Sequence, residues 1–416
     1  MMQNGSKEHS LRILFLTHAI PRFAGDRVTV FVRSLARAFK QRGHDLVVMA
    51  PFHPELDVAY QRSLYTFESF HYFPVHRWER LGYSKGMSDG LHQNKRNFIL
   101  GPFLILAGIV ACCRLARRIK PDVIFANWGI PSGLFGAVAS RVFGIPLVVT
   151  FPGADVKIIS SGLFYRLAGR CVGRSAWALA TNSSDLKESL VTSGLPEHKF
   201  HYVIYGADKS EFEPDPSLGR ARRRKLGISA DDIVIGSIGR FVAKKGFEYL
   251  VDSAKIVLDS SDNDQRVIFV LFGAGENESA LRDQIRRLGL AERFLLPGPV
   301  PPETLRDAYN VFDIFVNPAV RKPIDGLNVV VVEAMACGKP IVATTVCGND
   351  IVVRDGENGF LVPEQDHASL AKAILTLAGD GALRTRMGIA SRQRFEREFT
   401  WERIVDTYCD LVNHTP

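Results

Sequence analysis

Short apolar runs alternate with amphipathic stretches along the whole chain. In residues 28–43 apolar side chains recur at helical spacing with arginines mostly on the other face, and Gly43 supplies the expected helix stop. The apolar runs between such stretches are continuous, which favours strands buried on both faces, as in parallel sheets. These runs lie at 11–17, 45–50, 122–126, 146–151, 177–181, 232–239, 266–275, 293–298, 313–318, 340–344 and 359–363.

The chain has 416 residues, which is too many for a single core, since cores stop growing near about 250–300 residues. The pattern of strand and helix therefore predicts an α/β protein made of two doubly wound domains that face each other across a cleft. A charged, proline-containing linker at 206–227 separates an N-terminal domain at 1–210 from a C-terminal domain at 211–390. A last helical segment at 391–416 can return to the first domain.

Charge is distributed unevenly. Residues 1–210 hold 26 Lys and Arg against 14 Asp and Glu, a net charge of +12, whereas residues 211–416 carry a net charge of −4. A basic half suits an anionic membrane surface or an anionic substrate, and a plain solvated surface is the alternative. No recognition motif supports nucleic acid as a partner. The most apolar run, 98–113, is 16 residues long, shorter than the roughly 20 needed to span a bilayer, so it predicts a buried or interface-lying helix.

The cysteines and the first residues of the sequence indicate the cellular compartment of the protein. The six cysteines form no CxxC pair and no metal-like spacing, so they are expected to be reduced thiols of a cytosolic protein. The first residues are polar ahead of a short apolar strand, so no signal peptide is expected. We therefore expect a cytoplasmic protein that can lie on the inner face of the plasma membrane. The Asp-Asn-Asp sequence at 262–264 lies in a polar loop and is not expected to bind metal.

Candidate chemistry begins in "GRFVAKKGFEYL", residues 239–250. A strand ends at Gly239, and Arg240 and Lys245 lie in the short loop before the next helix. Ligands of open parallel sheets bind beyond the carboxyl ends of the strands. Two cations there, on a loop tight enough to need Gly239 and Gly246, suit a diphosphate. A solvent-exposed basic loop is the alternative.

The segment "DGLNVVVVEAMACGKP", residues 325–340, carries acids at both ends of an apolar stretch. It predicts a short helix from about Asn328, whose first amides, near Gly326, Asn328 and Val329, can bind an anion. Glu333 lies about five residues into that helix, roughly 8 Å from its start. A nucleotide sugar has phosphates between hydroxyl-bearing ends, so Glu333 would bind the ribose and Asp325 would face the sugar. Two surface acids are the alternative.

These blocks resemble the retaining glycosyltransferases of family 4, which have the GT-B fold. The paired-glutamate motif of that family, E-x7-E, is present as Asp325-x7-Glu333, with Asp in place of the first Glu. Further similar blocks are "FANWGIPSG", "VTFPGADV", "VIYGADKSEFEP", "LFGAGENESALR" and "DGENGFLVP". The resemblance covers nearly the whole chain.

The resemblance implies a role for each site residue. Arg240 and Lys245 would bind the donor diphosphate and Glu333 its ribose. The loops 272–275 and 298–300, with Gly273, Gly275 and Val300, would flank the base. Asp155 is a weaker candidate for orienting sugar or acceptor. By the same resemblance neither a bound metal nor another cofactor is expected.

Three positions depart from the family pattern besides Asp325. Where the family commonly has Thr-His-Gly, this chain has Phe151-Pro152-Gly153, and where it has His-Ala-His-Trp, this chain has Phe125 and Asn127. Three histidine positions of the family pattern, at 125, 127 and 152, therefore change, which bears on the sugar used.

The sequence thus predicts a glycosyltransferase that moves a sugar from a nucleoside diphosphate, UDP or GDP, to a glycan or lipid-linked acceptor in cell-surface polysaccharide or glycolipid synthesis. The basic domain would bind the acceptor, with residues 82–97 as the contacting loop. A catalytically weak sugar-nucleotide-binding protein and a sugar-nucleotide epimerase of similar fold are the alternatives.

Overall fold

The computed structural model describes residues 10–26, 28–81, 83, 95–260 and 266–413. Most of the 82–97 loop and the Asp-Asn-Asp sequence at 262–264 lie outside these residues. The chain divides into two units: unit 1 extends to Thr181 and also contains Leu186–Val203 and the residues from Ile404 onward. Unit 2 contains Asn182–Asp185 and Ile204–Arg403.

Unit 1 is built on a seven-stranded parallel sheet in the order β3-β2-β1-β4-β5-β6-β7. The five predicted strands are confirmed, and two more, β3 and β7, extend the edges. Sequence analysis missed them because β3, with Glu68 and Ser69, mixes polar and apolar residues and β7 is only three residues long. The strands are β1 Arg12–Leu16, β2 Asp45–Pro51, β3 Thr66–Phe70, β4 Val123–Asn127, β5 Leu147–Phe151, β6 Ala178–Thr181 and β7 Phe200–Tyr202.

The helices of the first half follow the strands. The amphipathic stretch forms α1 with Val32, Leu35 and Phe39 buried, and Gly43 just beyond it has a φ of 88°. That left-handed conformation favours glycine, which explains the stop. The helices are α1 Val30–Gln41, α2 Val58–Leu64, α3 Lys95–Ile119, α4 Leu134–Phe143, α5 Ala154–Ser160, α6 Leu163–Ser175 and α7 Ser184–Thr192.

Helix α3 is longer than its apolar run suggested. The segment Ile99–Ile119 has 21 residues and is long and apolar enough to cross a membrane by length and composition. One third of its most apolar stretch is buried inside the protein. The prediction that the run was too short is therefore wrong in its length, because the helix continues through 114–119. Part of α3 packs within unit 1, where Gly108 lies so close to Phe135 that a Cβ would stand 2.4 Å from its ring.

Unit 2 is built on a six-stranded parallel sheet in the order β10-β9-β8-β11-β12-β13. All six predicted strands are confirmed, because each is a continuous apolar run between turn residues. Strand β8 pairs with β9 on one side and β11 on the other, so chain order reverses there. The strands are β8 Ile233–Ile238, β9 Val267–Phe272, β10 Phe294–Gly298, β11 Ile314–Asn317, β12 Ile341–Thr344 and β13 Gly359–Val362.

The remaining helices include the one predicted around the acidic pair. Helix α12 begins after Asn328 and contains four valines in succession, so burial outweighs their weak helix propensity. The helices are α8 Pro216–Lys225, α9 Phe247–Ser260, α10 Glu278–Arg287, α11 Leu305–Val311, α12 Val329–Ala336, α13 Asn349–Val352, α14 His367–Gly379, α15 Gly381–Glu398 and α16 Trp401–Asn413. The expected boundary at 390 falls inside α15.

From Ile404 onward helix α16 belongs to unit 1. Its Tyr408 ring lies 5.4 Å from that of Phe125 and 6.1 Å from that of Phe39, measured between centroids. Asp406 on the same helix forms an ion pair with Arg42. The last helix of the chain therefore completes the aromatic core beside β4 and α1.

Candidate active site

The loops that leave β8 and β9 lie against each other at the carboxyl edge of the sheet in unit 2. Gly239 donates its N–H to Phe272 at 3.0 Å, and Phe241 donates to Ala274 at 2.9 Å. A Cβ on Gly273 would stand 1.9 Å from the Gly239 carbonyl oxygen, and φ at Gly273 is 152°. Only glycine tolerates that approach, which explains the glycine in the β9 loop.

The β8 loop also meets the chain after β11. A Cβ on Gly246 would stand 2.0 Å from the carbonyl oxygen of Pro318, and Val320 donates its N–H to the Lys244 carbonyl at 3.2 Å. Residues 239–246 are therefore fixed between two neighbouring strand ends. That backbone carries three cationic residues, Arg240, Lys244 and Lys245, at the same edge.

Asp325 pairs with two of these cations. Its Oδ2 lies 2.8 Å from Nζ of Lys244 and 3.6 Å from Nζ of Lys245. Arg240 is exposed, and within the described part of the chain its guanidinium has no hydrogen-bond or ion-pair partner. In this structure Asp325 neutralises the two lysines and Arg240 is available to a ligand, and the expected position of Asp325 beside a sugar stays a prediction.

Lys245 is the most enclosed of the cations. Burial lowers the pKa of its ammonium, Asp325 opposes that effect, and the like charges of Lys244 and Arg240 add to it. Its Nζ also donates to the side-chain oxygen of Asn328. An anion placed here would restore the charge balance that burial disturbs.

Buried asparagines extend this contact under the sheet edge. Asn328 donates to Asn317 at 3.4 Å, Asn317 donates to Asn349 at 2.8 Å, and Asn349 donates to the Thr344 carbonyl at 3.0 Å. All three asparagines are buried. The network fixes the side chain of Asn328, which therefore bonds to Lys245 rather than capping α12.

The start of α12 is consequently without a side-chain cap. Gly326 and Asn328 are buried just before it, and Val329 opens the helix. First-turn amides that no side chain caps, together with the helix dipole, favour an anion at this end. The structure thus brings Lys244, Lys245 and the α12 N-terminus to one place through Asp325 and Asn328.

Glu333 lies five residues into α12 and is paired inside the protein. The hydroxyl of Tyr309, on α11, donates to its Oε2 at 2.5 Å. Burial raises the pKa of the Glu333 carboxyl to about 7, although the hydrogen bond from Tyr309 acts in the opposite direction. At neutral pH the carboxyl is therefore poised between its two forms, and Tyr309 fixes its orientation.

The residues expected around a base lie at two adjacent strand ends. Gly273 donates its N–H to the Gly298 carbonyl at 3.0 Å, which joins the loop after β9 to the end of β10. Gly275 packs on the backbone of Phe241, where a Cβ would stand 2.3 Å from the carbonyl oxygen. Val300 is half-buried two residues beyond β10. Described by itself, unit 2 thus brings the predicted cofactor-binding loops to one sheet edge, with Glu333 five residues into the helix that follows Asn328.

Asp155 belongs to unit 1 and has a different environment. It is fully buried, and its carboxylate accepts from the backbone N–H of Gly129 at 2.7 Å and of Val156 at 3.1 Å. Burial raises its pKa to about 7, although these amides lower it. Its carboxylate is occupied by backbone donors, so in this structure it fixes the loop after β4 instead of presenting a charge to sugar or acceptor.

The departures from the family pattern lie in the same sheet. Phe125 is a buried core ring on β4, 5.0 Å from Phe39. Asn127 is buried and accepts from the Thr150 hydroxyl at 3.2 Å. Phe151 fills the space beside Gly129, where a Cβ would stand 2.2 Å from its ring, and the following Pro152 is half-buried. Apolar packing thus occupies two of these positions.

Sequence reasoning missed several residues of both edges. His18 follows β1 and packs edge-on against Trp128 at 4.1 Å; burial lowers its pKa to about 3, and its Nδ1 has no partner among the described residues. Lys244 directly precedes the predicted Lys245 in the sequence. Asn317 lies at the end of a predicted strand. Tyr309 gave no local signal, because its partner Glu333 is 24 residues away.

Two doubly wound parallel sheets, one carrying a cationic loop and an uncapped helix start at its carboxyl edge, are typical of proteins that bind nucleotides. Comparison with known proteins agrees. The family described as "Glycosyl transferases group 1" matches residues 220–394, and "Glycosyl transferase 4-like domain" matches residues 28–206. A D-inositol 3-phosphate glycosyltransferase of Acidothermus cellulolyticus is 31% identical over 331 residues, 75% of this chain and 72% of that protein.

The chain therefore belongs to the group 1, family 4-type glycosyltransferases. It is also similar to the capsular polysaccharide biosynthesis glycosyltransferase CapM of Staphylococcus aureus, at 29% identity over 76% of this chain and 83% of that protein. Among solved structures, Anabaena Alr3699/HepE in complex with UDP has a TM-score of 0.72 at 22% identity, covering 97% of this chain and all of that one. Its likeness supports the GT-B fold.

Proposed function

We propose that this glycosyltransferase moves a hexose from a nucleoside diphosphate sugar, with UDP or GDP as the nucleotide, to a hydroxyl of a glycan or lipid-linked acceptor with retention of configuration. The observation that carries the proposal is the pair Lys244 and Lys245 at the uncapped start of α12, with Arg240 on the same glycine-fixed β8 loop. A diphosphate carries two negative charges in the geometry that such a site accommodates.

Binding of the donor would exchange one partner for another. In the structure Asp325 is the counter-ion of Lys244 and Lys245. An arriving diphosphate would take both lysines together with Arg240 and the first amides of α12. Asp325, released from the lysines, would then be available beside the sugar. This exchange reconciles the predicted sugar-facing role with the ion pairs of the present structure.

The remaining donor groups would follow along α12 and the adjacent loops. Glu333, held by Tyr309, would bind the ribose hydroxyls roughly 8 Å from the phosphates, since the helix rises 1.5 Å per residue. The loops at Gly273, Gly275 and Val300 would flank the base. The solved complexes of the similar Anabaena protein with UDP and with UDP-glucose are consistent with such a ligand.

Catalysis would rest on stabilising the leaving group. As the bond from sugar to phosphate breaks, negative charge grows on the diphosphate, and Arg240, Lys244, Lys245 and the helix amides lie where that charge develops. Three fixed cations would do the work that a magnesium ion does elsewhere, so the reaction would need no metal. The departing phosphate would take the proton of the acceptor hydroxyl, which allows retention without a protein nucleophile.

The acceptor would be bound by unit 1, with its net basic sequence. The named relatives act on D-inositol 3-phosphate and in capsular polysaccharide biosynthesis, and both suggest a hydroxyl-rich, often anionic acceptor. We further propose that unit 1 meets the cytoplasmic face of the membrane through α3. Ile99 is 63% exposed and Leu106 65% exposed, and Arg114 and Arg117 continue the exposed face. Arginines beside apolar side chains suit anionic headgroups.

Two other functions predict different chemistry. A catalytically weak sugar-nucleotide-binding protein would bind the donor at the same cations without transferring the sugar. This alternative is tested because buried Phe125 and Phe151 stand in the two motifs that depart from the family pattern. A sugar-nucleotide epimerase needs acid-base groups at the sugar. Asp155, the only such candidate that sequence analysis raised in unit 1, is occupied by backbone amides.

The test of the proposed function is nucleotide binding and turnover. Calorimetry with UDP and GDP should show binding that weakens about 10- to 100-fold in Arg240→Ala and in Lys245→Ala, since a hydrogen bond to a charged group contributes about 1.5–3 kcal/mol. Lys372→Ala, an exposed lysine on α14, is the matched control and should bind like the wild type. Unchanged affinity in both site variants would contradict the assignment.

Turnover is measured with the UDP- or GDP-sugars whose nucleotide binds. Release of nucleoside diphosphate, slowly to water and faster with an acceptor, is the expected result with a chelator present. Binding without any release would support the binding-protein alternative, and release that depends on added magnesium would contradict the metal-independent mechanism.

A further inference from the structure

A compact cluster of two histidines and one glutamate follows β3 in unit 1. Oε2 of Glu79 lies 2.8 Å from Nδ1 of His71 and 2.8 Å from Nδ1 of His76. The two imidazole rings lie 4.0 Å apart between centroids, tilted by 44°. One ligand atom from each of the three side chains falls within 4.8 Å of the others. The proposed glycosyl transfer uses none of these residues.

The glutamate is held rigidly. Glu79 is completely buried, and its Oε1 accepts the backbone N–H of Tyr72 and that of Phe73, the latter at 3.0 Å. The two backbone N–H groups donate to Oε1, as an ionised carboxylate accepts, while the role of each Nδ1 at Oε2 follows the tautomer of its imidazole. One oxygen is thus fixed by the backbone, and the other is directed at both imidazoles.

Both histidines are partly exposed to solvent. Their side chains are 49% and 56% exposed, so water can reach the imidazoles and an Nε2 that carries the ring proton can bond to it while Nδ1 serves as a ligand. The ring of Phe52 packs against His71 at 4.3 Å and near His76 at 6.0 Å. An aromatic wall on one side and water on the other is a common setting for a metal-binding imidazole pair.

We propose that His71, His76 and Glu79 form a binding site for one divalent transition-metal ion of the zinc class, which fixes residues 71–79 of unit 1. Two imidazole nitrogens and one carboxylate oxygen are a ligand set that zinc accepts, with the fourth position left to water. The ion takes the place between Nδ1 of each histidine and Oε2, and each neutral imidazole then carries its single ring proton on Nε2. Ligand atoms about 3.3 Å apart surround a tetrahedral zinc at about 2.0 Å, so the 2.8 Å contacts need to open by only about 0.5 Å.

The buried negative charge of Glu79 also favours a divalent metal ion at this site. Among the described residues Glu79 forms ion pairs with the two histidines and with no lysine or arginine. When both imidazoles are neutral, as metal binding requires, a buried negative charge is left with hydrogen bonds alone. A divalent cation at Oε2 supplies the missing positive charge, and backbone donors at Oε1 hold the ligand oxygen in place, as outer hydrogen bonds do in other metal sites.

The test uses the full chain, freed of metal by chelation and dialysis, and titrated by calorimetry with zinc chloride alone. We expect one high-affinity zinc ion per chain and a higher melting temperature in its presence. The variant carries His71→Asn together with His76→Asn. An asparagine amide nitrogen stands near the position of Nδ1, so each asparagine can still donate to Glu79 while the imidazole ligand is lost.

The double variant should fold, bind no zinc at this site and show no zinc-dependent rise in melting temperature. His198→Asn, an exposed histidine of unit 1, is the matched control and should bind like the wild type. Cobalt(II) added in place of zinc should give visible bands without the charge-transfer absorption of a thiolate, which excludes the cysteines as ligands. No binding by the wild type, equal binding by the double variant, or a thiolate band would each overturn the proposal and leave the histidines as hydrogen-bond donors to Glu79.

Discussion

Replacing Glu333 by glutamine removes one titratable group from the pair that it forms with the buried Tyr309. Glutamine keeps the length of the side chain and an oxygen that accepts from the Tyr309 hydroxyl, so the packing of α11 on α12 is retained. What changes is the cost of ionisation. Burial raises the pKa of Glu333 from 4.5 to about 7, which means that the folded protein holds this proton more tightly than the unfolded chain does.

The direction and size of the effect follow from proton linkage. As the pH rises from about 4.5 to about 7, the unfolded chain loses the proton before the folded protein does, so this group reduces the free energy of unfolding across that window. A difference of about 2.5 pKa units corresponds to about 3 kcal/mol at pH 8, and to almost nothing at pH 4. Glu333→Gln should therefore stabilise the unliganded protein at pH 8 by up to about 3 kcal/mol.

The assay is thermal unfolding of wild type and variant from pH 4 to pH 8 without nucleotide. For a domain of the size of unit 2, about 3 kcal/mol corresponds to a rise in melting temperature of about 6–12 °C at pH 8, falling toward zero at pH 4. Glu292→Gln, an exposed carboxylate of the same unit, should change the melting temperature by no more than about 2 °C at any pH. A Glu333→Gln difference that is independent of pH, or a less stable variant at pH 8, would refute the reasoning.

Two further predictions concern the donor and the membrane. Asp325→Asn removes the counter-ion of Lys244 and Lys245, so the affinity for nucleoside diphosphate should stay equal or rise. In steady-state kinetics kcat should fall at least tenfold. A near-wild-type kcat would show that this acid is not catalytic. Leu106→Glu on the exposed face of α3 should reduce co-sedimentation with anionic vesicles at low salt several-fold, whereas Ile389→Glu, at an exposed apolar residue of α15, should not. Wild-type protein that fails to bind such vesicles at low salt would contradict the membrane proposal.

Much of the fold could be predicted because the sheets are buried on both faces. Continuous apolar runs marked every central strand of both units, and the loop glycines marked their carboxyl ends. The edge strands β3 and β7 escaped because an edge strand is only partly covered and keeps polar residues such as Glu68. The full length of α3 was not predicted because the apolar run ends at residue 113. The last turns of the helix contain the charged residues Arg114, Arg117 and Arg118.

The site could be predicted in position but not in pairing. Local sequence signals predicted three site residues. Arg240 and Lys245 lie in a glycine-flanked loop after a strand, and Glu333 lies in a helix whose start the sequence indicates. Their present partners are set by contacts between distant parts of the chain: Asn328 is 83 residues from Lys245 and Tyr309 is 24 from Glu333. Spacing along the chain carries no information on such contacts, so the neutralised state of Asp325 became visible only in three dimensions.

The return of α16 to unit 1 affects how the protein is made. Residues are synthesised from the N-terminus, so the β4 and α1 surfaces that carry Phe125 and Phe39 leave the ribosome long before Tyr408 exists to cover them. At a synthesis rate of roughly 5–20 residues per second, the interval between Phe125 and Tyr408 lasts about 15–60 s. During that time an aromatic surface of the nascent chain stays open to chaperones, and a stop codon just before Tyr408 would leave it open for the lifetime of the protein.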